Sequence, residues 1–298
     1  MDQFEMFDAE GETLTGAPAD AAGGAEASSL AEVNGPLPKA LPIDPSPAIL
    51  VDRLTKRYGD TKAVSDVSFS VPRGKTVGLL GGNGAGKTTI ISMILGLVIP
   101  TSGRAVVLGH DMARERYAAL GRMNFESPYV GMPAKLSVRE NLEVFARLYG
   151  VTQRKARIGA LVEEFDLGDV LDKATGALSA GQKTRVSVAK ALLNDPEVLL
   201  LDEPTTSLDP ERAEWVRASL RSYQRRRGAS ILLSSHNMFE VEDMCDFVVV
   251  MSYGHKIESG TPAELVANYE CENLHHVFRV ISESEEEGWY ADGSAEGE

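Results

Sequence analysis

Residues 81–89 read GGNGAGKTT, and this stretch decides the fold of the chain. The apolar run TVGLL precedes it at 76–80, and the apolar run IISMILGLV follows it at 90–98. A glycine followed by four residues and then Gly-Lys-Thr, set between a strand and a helix, is the pattern of a phosphate-binding loop. Glycines let backbone N–H groups curl around phosphate oxygens, and the start of the helix adds partial positive charge. The stretch therefore predicts a nucleoside triphosphate site, with a strand, turn and helix that bind nothing as the alternative.

Each residue of this loop is a candidate contact for the phosphates. The predicted cradle consists of Gly81, Gly82, Asn83, Gly84, Ala85, Gly86, Lys87, Thr88 and Thr89. In such a loop the lysine reaches the β- and γ-phosphates and the first threonine hydroxyl binds magnesium. We therefore expect Lys87 to contact the phosphates and Thr88 to bind Mg²⁺.

A second candidate for chemistry is the carboxylate pair in VLLLDEP, where Asp202 and Glu203 follow four apolar residues. In open α/β sheets, ligands bind at the carboxyl ends of the strands, so both side chains are expected beside the phosphate loop. Asp202 is predicted to belong to the magnesium shell, as the corresponding aspartate does in nucleotide hydrolases of this kind. Glu203 is predicted to orient or deprotonate the attacking water. The alternative is a solvated turn.

The rest of the pattern predicts an α/β fold: a P-loop NTPase core with a mainly parallel sheet. Long apolar strands separated by helices are typical of such a core. The alternating stretches ILVDRLTKRYG and VSDVSFSVP predict an antiparallel β portion near the N-terminus. Residues 137–166 show the three- and four-residue spacing of helices, and Ser137 with Glu140 forms a capping-box pattern.

Charge divides the chain into three parts. The net charge is −14, but residues 49–281 carry 28 acidic and 29 basic residues, so the excess acidity lies at the ends. The near-neutral middle gives no reason to expect a nucleic-acid partner. Composition predicts a disordered acidic tail over 1–46 and an acidic tail over 276–298, with the folded part of the chain between them. No apolar run reaches the ~20 residues of a membrane span.

The stretch LSAGQ, residues 178–182, has two interpretations. Ser179 and Gln182 match a capping box at the start of a helix. A helix start with a serine hydroxyl and the N–H group of Gly181 is also an anion site. The residues alone leave both open.

Taken in order along the chain, these motifs resemble the nucleotide-binding subunit of ABC transporters. The matching pieces are an aromatic residue at Tyr58, GGNGAGKTT, a strand end at position 126, LSAGQKTRVSVAKAL, LLLDEP, SLDP at 207–210, and His236 after LLSS, and they span about residues 48–275.

The resemblance implies a role for each matching residue. Tyr58 corresponds to the aromatic side chain that stacks on adenine. Ser179 and Gly181, with Gln182, correspond to the signature that contacts the γ-phosphate of ATP held by a partner subunit. Asp209 corresponds to the residue that couples the two sites of a dimer, and His236 to the histidine that hydrogen-bonds the γ-phosphate.

The sequence departs from the family at three positions. Gly82 stands where a proline is usual, and Ala180 stands where the signature has a glycine. Glu126, in NFESP, stands where the family has a glutamine. The resemblance implies that the side chain at this position approaches the magnesium, so Glu126 joins Thr88 and Asp202 as an expected metal ligand.

The resemblance implies an ATPase domain over 47–275, with a helical signature part at about 127–192. It also implies a function. We expect an ATP- and Mg²⁺-dependent ATPase that works as a homo- or heterodimer and powers a separate transmembrane permease. Its expected location is cytoplasmic, at the inner face of the cell membrane through that permease. The segments SVRENLEVFARLYG and ENLHHVFRVISE resemble the drug- and polysaccharide-exporter branch, which favours export.

Two other functions remain open at this stage. One is a soluble ABC ATPase that acts on ribosomes or DNA, although the near-neutral middle of the chain argues against phosphate-backbone binding. The other is a non-hydrolysing regulator, suggested by Glu126 and Ala180. The intact Lys87, Asp202 and Glu203 argue against that second possibility.

Overall fold

The computed structural model describes residues 46–127, 131–206 and 208–292, with side chains described as far as residue 283. The strands are β1 (Ile49–Tyr58), β2 (Thr61–Val71), β3 (Thr76–Leu80), β4 (Ser102–Val107), β5 (His110–Asp111), β6 (Met123–Glu126), β7 (Val198–Asp202), β8 (Ser230–Ser235), β9 (Phe247–Ser252) and β10 (His255–Gly260). The helices are α1 (Lys87–Ile94), α2 (Arg116–Leu120), α3 (Val138–Leu148), α4 (Arg154–Glu164), α5 (Ala180–Ala191), α6 (Pro210–Arg227), α7 (Met238–Met244), α8 (Pro262–Asn268) and α9 (Leu274–Asp292).

The strands form two sheets. The larger has the order β10-β9-β3-β8-β7-β6, in which only β10 pairs antiparallel with its neighbour. Every residue of β3, β7 and β8 is buried, as expected for parallel strands covered on both faces. The smaller sheet has the order β2-β1-β4-β5 and is antiparallel. The predicted α/β class, with a mainly parallel core and an antiparallel N-terminal portion, is confirmed.

The pairing of the parallel strands places the candidate motifs at one edge of the larger sheet. β8 pairs with β3 on one side and with β7 on the other, and Leu80 at the end of β3 is opposite Ser235. On the other side of β8, Asp202 is opposite Ser234. The phosphate loop after β3, Glu203 after β7 and His236 after β8 therefore leave the sheet side by side.

The antiparallel sheet flanks this edge. The hairpin between β1 and β2 brings Ser65 within hydrogen-bond distance of the turn after β9, with its N–H donating to the Gly254 carbonyl at 2.8 Å. As a result, the strand residue Ala63 lies next to the phosphate loop.

Helices α3, α4 and α5 lie between β6 and β7 in the chain. The side chains of Ser137 and Ser179 cap α3 and α5 in capping boxes with Glu140 and Gln182, as predicted. These helices bury apolar residues in the same core cluster as the inner strands, among them Leu142, Leu161 and Val186. None of the helices in the described part of the chain is both long and apolar enough to cross a membrane.

Helix α9 crosses the boundary expected after residue 275. Leu274, Val277 and Ile281 on this helix are all buried in the main core cluster. Packed structure thus continues at least to Ile281, because the apolar spacing of α9 persists beyond the expected end of the domain. Residues 1–45 lie outside the described residues, so the expected disordered tail there stays a prediction.

Candidate active site

A cavity of about 530 Å³ lies at the edge where β3, β7 and β8 end. Its lining residues are Ala63, Asn83, Gly84, Ala85, Gly86, Lys87, Thr88, Thr89, Asp202, Glu203, Thr206 and His236. The structure therefore brings together the phosphate loop, the carboxylate pair and the histidine that the sequence placed far apart in the chain.

Two glycines of the loop are required by its backbone. Gly86 precedes α1 with φ of 96°, and a Cβ atom there would lie 2.6 Å from the Ala63 carbonyl oxygen. A Cβ atom on Gly81 would collide with the Met251 carbonyl oxygen. Gly82 has nothing within 4 Å of its would-be Cβ, so packing does not require a glycine at this position.

Lys87 is buried in the cavity wall, and its Nζ atom donates to the loop's own carbonyls. The distances are 2.7 Å to the Gly81 oxygen and 3.0 Å to the Gly82 oxygen. Burial lowers the pKa of Lys87, and the charges of Glu203 and Asp202 partly oppose that shift. The ammonium is thus already at the loop and close to two carboxylates.

Thr88 and Asp202 converge on one side of the cavity. The Thr88 hydroxyl lies 3.5 Å from Asp202 Oδ2, and the Ser234 hydroxyl donates to Asp202 Oδ1. A hydroxyl and a carboxylate are the hard oxygen ligands that Mg²⁺ accepts alongside phosphate oxygens and water. The Thr88 hydroxyl and the Asp202 carboxylate therefore fit a magnesium ion.

The side chains of Glu203 and His236 are in contact in the cavity wall. His236 Nδ1 lies 2.7 Å from Glu203 Oε2, and the Thr206 hydroxyl donates to the same oxygen at 2.8 Å. The backbone of Glu203 has φ of 56°, a sparsely populated region for a residue with a side chain, and its N–H donates to the Ser234 carbonyl at 2.9 Å. The carboxylate is therefore held by Thr206 of its own loop and by His236, which follows β8.

Tyr58 is not among the described residues that line the cavity. It ends β1 with 52% of its surface exposed, and Lys56 Nζ lies 5.0 Å from the centre of its ring. Its expected contact with adenine stays a prediction.

The signature residues also lie outside this cavity. Ser179, Gly181 and Gln182 form the first turn of α5 and its cap, while Asp209 caps α6. Arg212 joins the two helix starts, since its side chain pairs with Asp209 at 3.0 Å and lies 3.2 Å from a would-be Cβ on Gly181.

The structure places Glu126 away from the expected metal site. Its carboxylate points to α5, where Oε2 lies 2.8 Å from Lys190 Nζ and the Ser187 hydroxyl donates to Oε1. The expected approach of Glu126 to Thr88 and Asp202 is therefore not seen in this structure, because a buried lysine takes the carboxylate.

Sequence reasoning missed two lining residues. Ala63 lies on β2, and only the packing of the hairpin on the loop reveals it. Thr206 follows Glu203 by three residues in the sequence. The closeness of a hydroxyl to this carboxylate along the chain was the only hint that the two side chains would meet.

Comparison with known proteins agrees with this geometry. Residues 64–206 match the family model of the ABC transporter. The Nod factor export ATP-binding protein I of Rhizobium meliloti (strain 1021) is 42% identical over 224 residues, covering 74% of this chain and 67% of that protein. The daunorubicin resistance ATP-binding protein DrrA3 of Streptomyces coeruleorubidus is 40% identical over 234 residues, covering 78% and 74%.

Solved structures show the same relationship. A structure of an ATP-binding subunit of an ABC transporter superimposes with a TM-score of 0.72 at 28% identity, covering 79% of this chain and 99% of that one. The cbiO1 protein of Clostridium perfringens, part of the ABC transporter complex cbiONQ, superimposes with a TM-score of 0.66 at 30% identity, covering 75% and 92%. The chain therefore belongs to the ABC transporter family, as one of the ATP-binding subunits, which are ATPases coupled to transport.

Proposed function

We propose that this chain binds ATP with Mg²⁺ in the cavity beside the phosphate loop and uses its hydrolysis to drive export through a separate transmembrane permease. The direction is supported by the names of two relatives, which concern Nod factor export and daunorubicin resistance. The proposed location is the inner face of the membrane, reached through the permease.

The phosphate loop and Lys87 bind the triphosphate. Residues 83–88 line the cavity wall, where the start of α1 contributes partial positive charge. Lys87 Nζ exchanges the Gly81 and Gly82 carbonyls for β- and γ-phosphate oxygens when the nucleotide binds.

Thr88 and Asp202 would hold the magnesium ion. When bound, Mg²⁺ neutralises charge on the phosphate oxygens. The Ser234 hydroxyl fixes Asp202 through its other carboxylate oxygen, so that Oδ2 is directed toward the Thr88 hydroxyl.

Glu203 acts as the general base, and the 2.7 Å contact between it and His236 is the observation that carries this assignment. A water attacks the γ-phosphorus, its proton passes to Glu203, and the bond between the γ-phosphorus and the bridging oxygen breaks to release ADP and phosphate. Both the Thr206 and His236 contacts use Oε2, and Oε1 is the atom that we assign to the proton of the water. His236 is then beside the γ-phosphate as a hydrogen-bond donor.

The proposal includes a dimer of such chains, either identical or different. Ser179, Gly181 and Asp209 lie at the starts of α5 and α6, outside the cavity of their own chain. They are suited to meet the triphosphate bound by another copy, since the first turn of α5 offers N–H groups and a hydroxyl. ATP would join the two faces, and loss of the γ-phosphate would separate them.

Co-purification tests the permease, and hydrolysis tests the site. Membrane proteins captured with the full chain should include a polytopic partner, and ATPase activity should disappear in Lys87→Ala. Capture of ribosomal proteins or DNA in place of a membrane protein would favour the soluble alternative. Tight ATP binding without turnover in the wild-type chain would favour a regulator.

A further inference from the structure

Glu240 is a carboxylate that the site described above does not use. It lies in the first turn of α7 and is only 1% exposed. Each of its carboxylate oxygens accepts one hydroxyl: Thr205 Oγ1 donates to Oε1 at 2.8 Å, and Ser235 Oγ donates to Oε2 at 2.7 Å. A buried carboxylate with both oxygens engaged by hydroxyls forms part of a specific polar network.

One hydroxyl belongs to the loop that carries the proposed base, and the other to the last residue of β8, directly before the histidine. Thr205 follows Glu203 by two residues, and Ser235 immediately precedes His236. The Ser235 hydroxyl also accepts a hydrogen bond from the Asn237 N–H at 3.0 Å, on the far side of the histidine. A single side chain thus joins the loop after β7 to the end of β8.

The Glu240 side chain lies outside the nucleotide cavity. Glu240 is not among the described residues that line the cavity, so it makes no contact there with a nucleotide. Thr205 and Ser235 are themselves 6% and 0% exposed, which excludes water as a ready substitute for the carboxylate. Removing an acceptor would leave a buried hydroxyl unpaired, and the loops would shift to recover a partner.

We propose that Glu240 is a positioning residue for ATP hydrolysis, which holds Glu203 and His236 in register by bridging Thr205 and Ser235. This inference rests on the roles proposed for Glu203 and His236. The phosphate loop follows β3 and makes none of these hydrogen bonds. Loss of the bridge should therefore lower turnover while leaving ATP binding nearly unchanged.

A matched pair at Thr205 tests the bridge in the full-length chain. Thr205→Val keeps the shape and removes the hydroxyl, whereas Thr205→Ser keeps the hydroxyl. We expect kcat to fall about 10- to 100-fold in Thr205→Val, because a displacement of about 1 Å in a catalytic group has effects of that size. The KM for ATP should change less than about threefold, and Thr205→Ser should recover most of the lost turnover.

Two further variants keep the test decisive if Thr205→Val does not fold. Ser235→Ala removes the other hydroxyl, and Glu240→Gln removes one acceptor; both should lower kcat with little change in KM. The control is Glu242→Gln, an exposed glutamate on the same helix that accepts from the Leu274 N–H and should keep wild-type turnover. Thermal unfolding and binding of a non-hydrolysable ATP analogue are measured for every variant.

The outcomes separate this inference from the proposed function. Equal turnover in Thr205→Val and Thr205→Ser would overturn the bridge, as would a fall in kcat matched by an equal loss of analogue binding. Glu203→Gln is run in the same assay. If Glu203→Gln is slow and Thr205→Val is normal, only the role of Glu240 is wrong. If Glu203→Gln itself turns over normally, the proposed role of Glu203 fails first.

Discussion

Glu126 and Lys190 form a buried ion pair, with Oε2 of the glutamate 2.8 Å from Nζ of the lysine. The lysine side chain is 1% exposed and that of the glutamate is 11% exposed. Lys190 Nζ also lies over the Phe145 ring, 5.3 Å from its centre, in a cation–π contact. Burial raises the pKa of Glu126 despite the opposing effect of Lys190. The pair joins the end of β6 to the signature helix α5.

The pair predicts an effect of Glu126→Gln on stability. The substitution leaves the buried ammonium of Lys190 without its counter-charge, and breaking a buried pair in this way typically costs about 3–5 kcal/mol. The double variant Glu126→Gln with Lys190→Met removes both charges and should regain a large part of that loss. Urea unfolding of the wild type, the two single variants and the double variant measures the coupling. Additive effects would mean that the pair contributes nothing of its own.

The same arrangement predicts that magnesium dependence is unchanged by Glu126→Gln. The carboxylate is held by Lys190 and Ser187, while Thr88 and Asp202 meet inside the cavity. Titrations of ATPase activity with Mg²⁺ should superimpose for the wild type and the variant once both are compared at a temperature where they are folded. A shifted curve would show that Glu126 leaves Lys190 and reaches the metal when ATP binds, as the family resemblance implied.

Glu203→Gln should separate ATP binding from hydrolysis. The amide has nearly the same shape but cannot accept the proton of the water, and loss of a general base typically lowers turnover about 10²–10⁴-fold. Because the phosphate loop is untouched, the variant should bind ATP and accumulate as an ATP-bound dimer. Size-exclusion chromatography with ATP detects the dimer, and Lys87→Ala, which should stay monomeric, serves as the control. Near-normal turnover in Glu203→Gln would remove this residue from the reaction.

Gly86→Ala should abolish ATP binding, because the loop backbone cannot accept a side chain there. The residue has φ of 96°, and the added methyl group would lie 2.6 Å from the Ala63 carbonyl oxygen. Gly159→Ala is the matched control: this glycine lies in the exposed part of α4 with open space around it, where alanine favours the helix by about 1 kcal/mol. Nucleotide binding by equilibrium dialysis compares the two. Retained ATP affinity in Gly86→Ala would mean that the loop can relax.

Sequence predicted those parts of the fold whose cause is local or periodic. The capping boxes at Ser137 and Ser179 depend on residues three positions apart, and both are present. The meeting of the phosphate loop with Asp202 and Glu203 follows from buried parallel strands ending at one edge.

What the sequence could not predict depends on contacts between distant segments. Lys190 lies 64 residues after Glu126, and no spacing rule indicates that a buried lysine will take this carboxylate. Glu240 is a second example, since its hydroxyl partners lie in the loop after β7 and at the end of β8. In the sequence, Glu240 shows only the common pattern of an acidic residue in the first turn of a helix, and that pattern does not predict its two buried hydrogen bonds.

The C-terminal helix α9 should be required for stability and should influence ATP binding. Val277 and Ile281 are 0% and 3% exposed, and burying an aliphatic side chain of this size contributes about 1.5–3 kcal/mol. A chain that ends at 275 loses both, whereas one that ends at 283 keeps them, so the second is the control for the first.

Residues on α9, among them Ile281, also share a cavity of about 280 Å³ with residues 82–85 of the phosphate loop. We therefore expect the shorter chain to unfold several degrees lower and to show a higher KM for ATP. Thermal unfolding and ATPase kinetics of the two truncated chains and the full chain measure both effects; identical melting temperatures would show that α9 does not stabilise the domain.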